Sequence, residues 1–256
     1  MKDPAELFRK YTHPYLIYGE KIRLKIDHTL RVRDLCEDIA RSLGLSGDEL
    51  ALASLCGLLH DIGRFEQWRR YGTFDDAKST DHGDLGAEVL SENGLIGTFT
   101  GTDRDTVLSA VRYHNKFALP DTLNKQTRIY AGIVRDADKI DILRLFAEGE
   151  MTHSTKGTAF SGPVFQTLMN GKPIRSADAV TPADGFAKYP AFIFGFNFRR
   201  SFEIVSEEHY SERMIARQSE EAADPLMKSQ LNELNVFLKD ALDEKLKNDS
   251  PAGSIP

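Results

Sequence analysis

Seven histidines occur in this chain, and four of them fall where helical periodicity turns them inward. His28 shares a stripe with Leu24, Val32 and Leu35, and His114 follows Val107, Ala110 and Val111 at offsets that stack on one face. His82 leads Leu85, Gly86 and Val89 in the same way, and His60 closes an apolar segment directly before Asp61. Asp138 lies in line with Ala131, Val134, Ile142 and Leu145. Taken singly, each group has an ordinary fate. A core histidine can bond to the backbone, Asp138 can pair with Arg135, Lys139 or Arg144, and Asp61 can end a helix. Six such groups in one half of a chain are different, because an ionised aspartate on a buried face is costly unless paired or bound to a cation. A shared metal site explains them together. Imidazole nitrogens mixed with carboxylate oxygens suit Fe, Mn, Zn or Ni better than a hard Ca or Mg cage.

The elements that must position these residues read as helices, with almost no strands. Residues 21–43 have helical periodicity and end at Gly44. The next segment, ELALASLCGLLHD, is apolar nearly all round and therefore central, with Asp48 as its expected cap and Gly63 as its expected stop. A short helix starts at His82, and Thr102 is expected to cap another that runs to about Asn115. Residues 124–147 make a long helical pattern. Adjacent His60 and Asp61 diverge by about 100° on a regular helix, so they converge only at a helix end.

Beyond Gly149 the signal weakens. Residues 150–185 read as loops with a short helix near 161–170. Pro190 is expected to open a phenylalanine-rich helix through Phe202 that serves as core, and 224–247 forms a last amphipathic helix. The expected organisation is an all-α core over 1–150, a helical extension over 151–247 packed in the same domain, and a disordered tail over 248–256.

Composition narrows the function. The 256 residues are 41% hydrophobic and 28% charged with a net charge of −6, which gives no basic surface for duplex nucleic acid or an anionic membrane. No run reaches the ~18 apolar residues of a membrane span, and the N-terminus lacks the apolar stretch of a secretory signal. The two cysteines, Cys36 and Cys56, read as buried thiols in a reducing compartment. A cytoplasmic location is expected. No phosphate loop, GxGxxG, HExxH or CxxC motif occurs.

The order His28 … His60-Asp61 … Asp138, with LLHDIGR around the pair and RDADKID around the last aspartate, resembles the HD-domain superfamily of metal-dependent phosphohydrolases. The likeness covers about residues 20–147. It implies an all-α domain in which His28, His60, Asp61 and Asp138 bind one ion. His82 (DHGDLGAEVL) and His114 (YHNK) correspond to the extra histidines of two-ion members, where the counterpart of Asp61 bridges both. That set resembles the HD-GYP phosphodiesterases and the di-iron oxygenases of the superfamily. The GYP signature is missing, since NKFALPDTL follows His114.

The expected activity is hydrolysis of a small phosphate ester or nucleotide with two divalent transition-metal ions, Fe or Mn before Zn or Ni. Such ions lower the pKa of water toward ~7 and offset phosphoryl charge. Asp61 is the central catalytic group. Arg64 is the expected phosphate contact, because guanidinium forks fit phosphate oxygens, with Lys139 and Lys116 as weaker candidates. Asp27 and Asp81 stand beside ligand histidines and could orient them. A di-iron oxygenase and a non-catalytic HD module are the alternatives, and a homodimer stays open.

Overall fold

A computed structural model describes residues 4–97 and 101–247; the tail expected to be disordered lies outside them. The described residues are all helix, turn and loop, with no strand. The chain divides into two compact units, the first ending at Asp138 and the second beginning at Lys139.

The first unit holds α1 (Pro4–Thr12), a 3-10 turn (His13–Tyr18), α2 (Glu20–Ser42), α3 (Gly47–Leu59), α4 (Ile62–Tyr71), α5 (His82–Glu92), α6 (Gly101–Tyr113) and the first part of α7 (Lys125–Glu148). Helix α3 is its centre. Leu52, Ala53, Leu55, Cys56, Gly57, Leu58 and Leu59 are all buried, as an all-round apolar helix must be, and it packs on α1, α2 and α6. The approach to α2 is close: a Cβ on Gly57 would sit 2.7 Å from Cys36 Sγ. Both cysteines are buried and unbridged. The buried stripe of α2 runs through Ile22, His28, Thr29, Val32, Cys36 and Ile39, whereas Leu24 is 40% exposed. Helix α7 is tied in by Tyr130, whose hydroxyl donates to Glu49 O, and by Arg135, which donates to the carbonyls of Tyr113, His114, Lys116 and Phe117.

Several expected helix ends move. Ser46, not Asp48, takes the N-cap position of α3, and Asp48 lies in its first turn, where its charge still favours the dipole. Thr102 is already inside α6, and that helix ends at Tyr113, leaving His114 just beyond it. Gly63 does not stop a helix; it lies within α4. Its lack of a side chain serves packing instead, because a Cβ there would run into His82 O and lie 2.6 Å from Gly86 N. That contact is what lets α4 and α5 pack together.

The second unit contains α8 (Gly162–Met169), α9 (Asp184–Ala187), α10 (Arg199–Glu207), α11 (Tyr210–Glu221) and α12 (Pro225–Lys247). Helix α12 buries Met227, Leu231, Leu234, Leu238 and Leu242 on one face. The single helix expected from Pro190 is a 3-10 segment, Pro190–Gly195, followed by a separate α10. Of its phenylalanines, Phe198 is buried and Phe192, Phe194, Phe196 and Phe202 are half-covered. Asp184 replaces regular structure in the loops, accepting from the amides of Ser161, Val180 and Thr181.

Candidate metal centre

Four imidazoles and two carboxylates meet inside the first unit. His28 projects from the middle of α2 and is 2% exposed. His60 still has helical dihedrals after α3, but Asp61 leaves them at φ −99, ψ 17 before α4 begins. This break lets two adjacent side chains converge. His82 is the first residue of α5, His114 follows α6, and Asp138 comes from α7. The rings form a chain: His28 to His60 at 5.3 Å, His60 to His114 at 5.1 Å, and His114 to His82 at 4.9 Å between centroids.

Asp61, 2% exposed, stands between two groups of nitrogens. Its Oδ2 lies 3.6 Å from His28 Nε2 and 3.7 Å from His60 Nε2. Its Oδ1 lies 3.5 Å from His82 Nε2 and 3.7 Å from His114 Nε2. Asp138 Oδ1 joins the first group, 3.2 Å from His28 Nε2 and 3.7 Å from His60 Nε2. Two sets of ligand atoms are compact enough to hold a metal ion: His28, His60 and Asp138, and His60, Asp61 and His114.

The protonation pattern fits cation binding. His60 Nδ1 lies 2.8 Å from Gly57 O, His114 Nδ1 lies 2.7 Å from Val111 O, and His82 Nδ1 lies 2.6 Å from Asp76 Oδ2. Each of those oxygens can only accept, so each Nδ1 carries the hydrogen and each Nε2 of the neutral ring presents a lone pair. His60 Nε2 is buried without a hydrogen bond. The Nε2 atoms of His82 and His114 face each other at 3.0 Å, an arrangement that two neutral rings of this tautomer cannot satisfy alone. A shared cation satisfies it.

Burial lowers the pKa of His60, and it lowers that of His82 to about 4, Arg64 adding to the effect and Asp76 opposing it. Both are therefore neutral, ligand-ready rings at pH 7. Burial alone would raise the carboxyl of Asp61, but the Lys25 ammonium foremost, with the Arg64 guanidinium, holds it well below the usual range. Asp138 is likewise held down, against burial, by His28 foremost.

The supporting shell contains residues that the spacing did not reveal. Lys25, one turn before His28, brings Nζ to 2.7 Å from Asp61 Oδ2. Asp76, on the loop between α4 and α5, accepts from Arg64 Nη1 at 2.8 Å and Gln67 Nε2 at 2.9 Å. Asn115 Nδ2 reaches Asp76 and both oxygens of Asp81. Lys25 carries a usable signal, its position on the ligand face of a helix. Asp76 does not: FDDAKSTD offers Asp75, Asp76 and Asp81 equally.

Arg64 is not an open fork. Its Nη1 is engaged by Gln67, Phe74 O and Asp76, and its Nε lies 3.5 Å from Asp61 Oδ1. Lys116 pairs with Asp81 and Asp84, each at 2.7 Å. Lys139 directs Nζ to Gly195 O at 3.4 Å and over the Phe192 ring. Asp81 caps α5 through the amides of Gly83 and Asp84 rather than touching the imidazole directly. The remaining ionic neighbours of Asp138 are spent elsewhere, Arg144 on Asp141, Glu148 and Glu150.

The HD domain family matches residues 26–143, a stretch that contains all six clustered residues. Over that stretch the chain is similar to the HD domain. Comparisons with curated proteins and with solved structures give no match. No described helix is long and apolar enough to cross a membrane.

Proposed function

We propose that this chain is a metal-dependent phosphohydrolase acting on a small phosphate ester or nucleotide. In this reading His28, His60, Asp138 and Asp61 would hold one divalent transition-metal ion, and Asp61, His82 and His114 would hold a second. The observation that carries the reading is the division of labour at Asp61, whose two oxygens each face two imidazole Nε2 atoms at 3.5–3.7 Å. Divalent cations held there supply a water of lowered pKa and offset charge on phosphoryl oxygens.

The chain's own groups have separable tasks. His60 and His82 stay neutral near pH 7 and so remain available as ligands without first losing a proton. Lys25 is the cation best placed to meet a substrate phosphate. Its side chain is 24% exposed and its ammonium touches Asp61, so its three donors can turn to a phosphoryl oxygen once Asp61 is otherwise engaged. Arg64 acts differently from a free phosphate fork, by holding Asp61 and Asp76 in place.

The test is hydrolysis of a panel of phosphomonoesters, phosphodiesters and nucleotides with added Mn²⁺, read as release of orthophosphate from monoesters and of alcohol plus phosphomonoester from diesters. Release should stop with chelator, return with Mn²⁺, and be lost in Asp61→Ala. Absence of release from the fully loaded protein, together with a mixed-valent iron signal that responds to an organic substrate and O₂, would overturn the hydrolase in favour of an oxygenase.

A further inference from the structure

We propose that Asp76 is the positioning residue on which the second cation depends, the one assigned to Asp61 Oδ1, His82 and His114. The inference deepens the two-ion reading and rests on it. The three clustered histidines with a resolved Nδ1 partner differ in what accepts that hydrogen. His60 and His114 donate to carbonyls of their own helices, Gly57 O and Val111 O, acceptors that come with the helical backbone and cannot be mutated away. His82 donates to a side-chain carboxylate, Asp76 Oδ2, at 2.6 Å.

The carboxylate is itself clamped, and its two oxygens do different jobs. Oδ1 accepts from Arg64 Nη1 and Gln67 Nε2, which anchors it to α4. Gln67 is 0% exposed and also donates to Ser79 Oγ and Thr80 O, each at 2.9 Å. Oδ2 is left to face His82, with Asn115 Nδ2 more distant at 3.4 Å. Because a carboxylate only accepts, it fixes the hydrogen on Nδ1 and aims the Nε2 lone pair at Asp61 Oδ1. Its charge also makes the imidazole a stronger donor to a cation. Asparagine is nearly isosteric but can present its NH₂ to Nδ1, which selects the other tautomer and points an N–H where the lone pair should be.

The experiment titrates Mn²⁺ into metal-free wild type and Asp76→Asn, reading bound ions per chain by equilibrium dialysis and the ion–ion interaction by EPR. Wild type should bind two ions and give an exchange-coupled spectrum. Asp76→Asn should keep the first ion at unchanged affinity, bind the second 10–100-fold more weakly, and show an isolated-ion spectrum at the same loading. Asp76→Ser, too short to reach His82, should behave alike and serves if the asparagine variant does not fold. Asp75→Asn, altered in the adjacent carboxylate that pairs with Lys78 and caps through the Ala77 amide, should keep both ions. Equal second-ion affinity in wild type and the Asp76 variants would overturn the inference, as would loss of both ions together. Wild type that binds one ion would instead sink the two-ion reading itself, before any variant is compared.

Discussion

The two sides of Asp61 are built from different material. On the Oδ2 side, His28 and Asp138 come from the interiors of long helices, 23 and 24 residues in length, where the backbone ladder fixes each side chain's direction, and His60, the residue after α3, keeps helical dihedrals. On the Oδ1 side, His82 opens α5 and His114 lies one residue past α6. Helix ends lack that ladder, so this side depends on added side-chain bonds from Asp76, Asp81, Asn115 and Arg135. The contrast teaches where the site is robust and where it can be tuned. Mutations outside the ligands should leave the Oδ2 side intact and alter the Oδ1 side.

The largest effect should come from the residue common to both sides. Asp61→Ala is expected to remove most bound metal and all measurable phosphohydrolysis, whereas His153→Ala, whose imidazole bonds to Pro182 O, should leave metal content unchanged. Equal loss in both would break the comparison outright. Next, single ligand removals should separate the sides: His114→Ala should retain close to one ion per chain, held by the Oδ2 group. His28→Ala should impair that group, and its residual metal should depend on His82.

A packing variant sharpens the contrast without touching a ligand. Gly63→Ala forces a methyl against His82 O and Gly86 N, and overpacking of this kind costs about 1–3 kcal/mol. Urea midpoints should fall accordingly, and the surviving folded protein should lose affinity for the second ion before the first. Wild-type stability and metal affinity in this variant would show that the α4–α5 contact does not set the Oδ1 side.

The smallest effect is on pH dependence of the metal-free protein. The His82 pKa is about 4 when folded and about 6.5 when unfolded. As pH falls from about 6.5 toward 4, the unfolded chain takes up a proton that the folded chain refuses, and stability drops. His60 adds to the same loss, since its pKa is also lowered. Asp61 and Asp138, held low, add their own loss only at more acid pH, below the usual carboxylate value. Denaturant midpoints at pH 7.5 and 5 should show the decline, and His82→Leu should flatten it. An unchanged midpoint across that interval in wild type would contradict neutral burial of these rings.

The same division explains what the sequence disclosed. Ligands inside helices are legible because periodicity carries the direction of a side chain: spacing puts His28 and Asp138 on inward faces, and the LLHDIGR stretch at the end of α3 supplies His60 and Asp61. His82 and His114 were found through apolar residues of their own helices. Asp76 was not, because a loop has no period and its neighbours Asp75 and Asp81 look identical in type. Gly63 shows the opposite error, a residue whose type suggested helix termination but whose lack of a Cβ serves interhelical contact. Ser46 and Thr102 show that caps are set by where the chain turns, which several polar residues in a row leave ambiguous. The partners of Arg64, Phe74 O and Asp76, are hidden from local spacing because they lie 10 and 12 residues away.

The central claim is that one carboxylate serves two cations. It is tested most directly by elemental analysis of the wild-type protein purified without oxygen, with metal and protein measured on the same sample. About two transition-metal ions per chain is the predicted value. A value that stays at one, with added Mn²⁺ failing to raise it, would contradict the account.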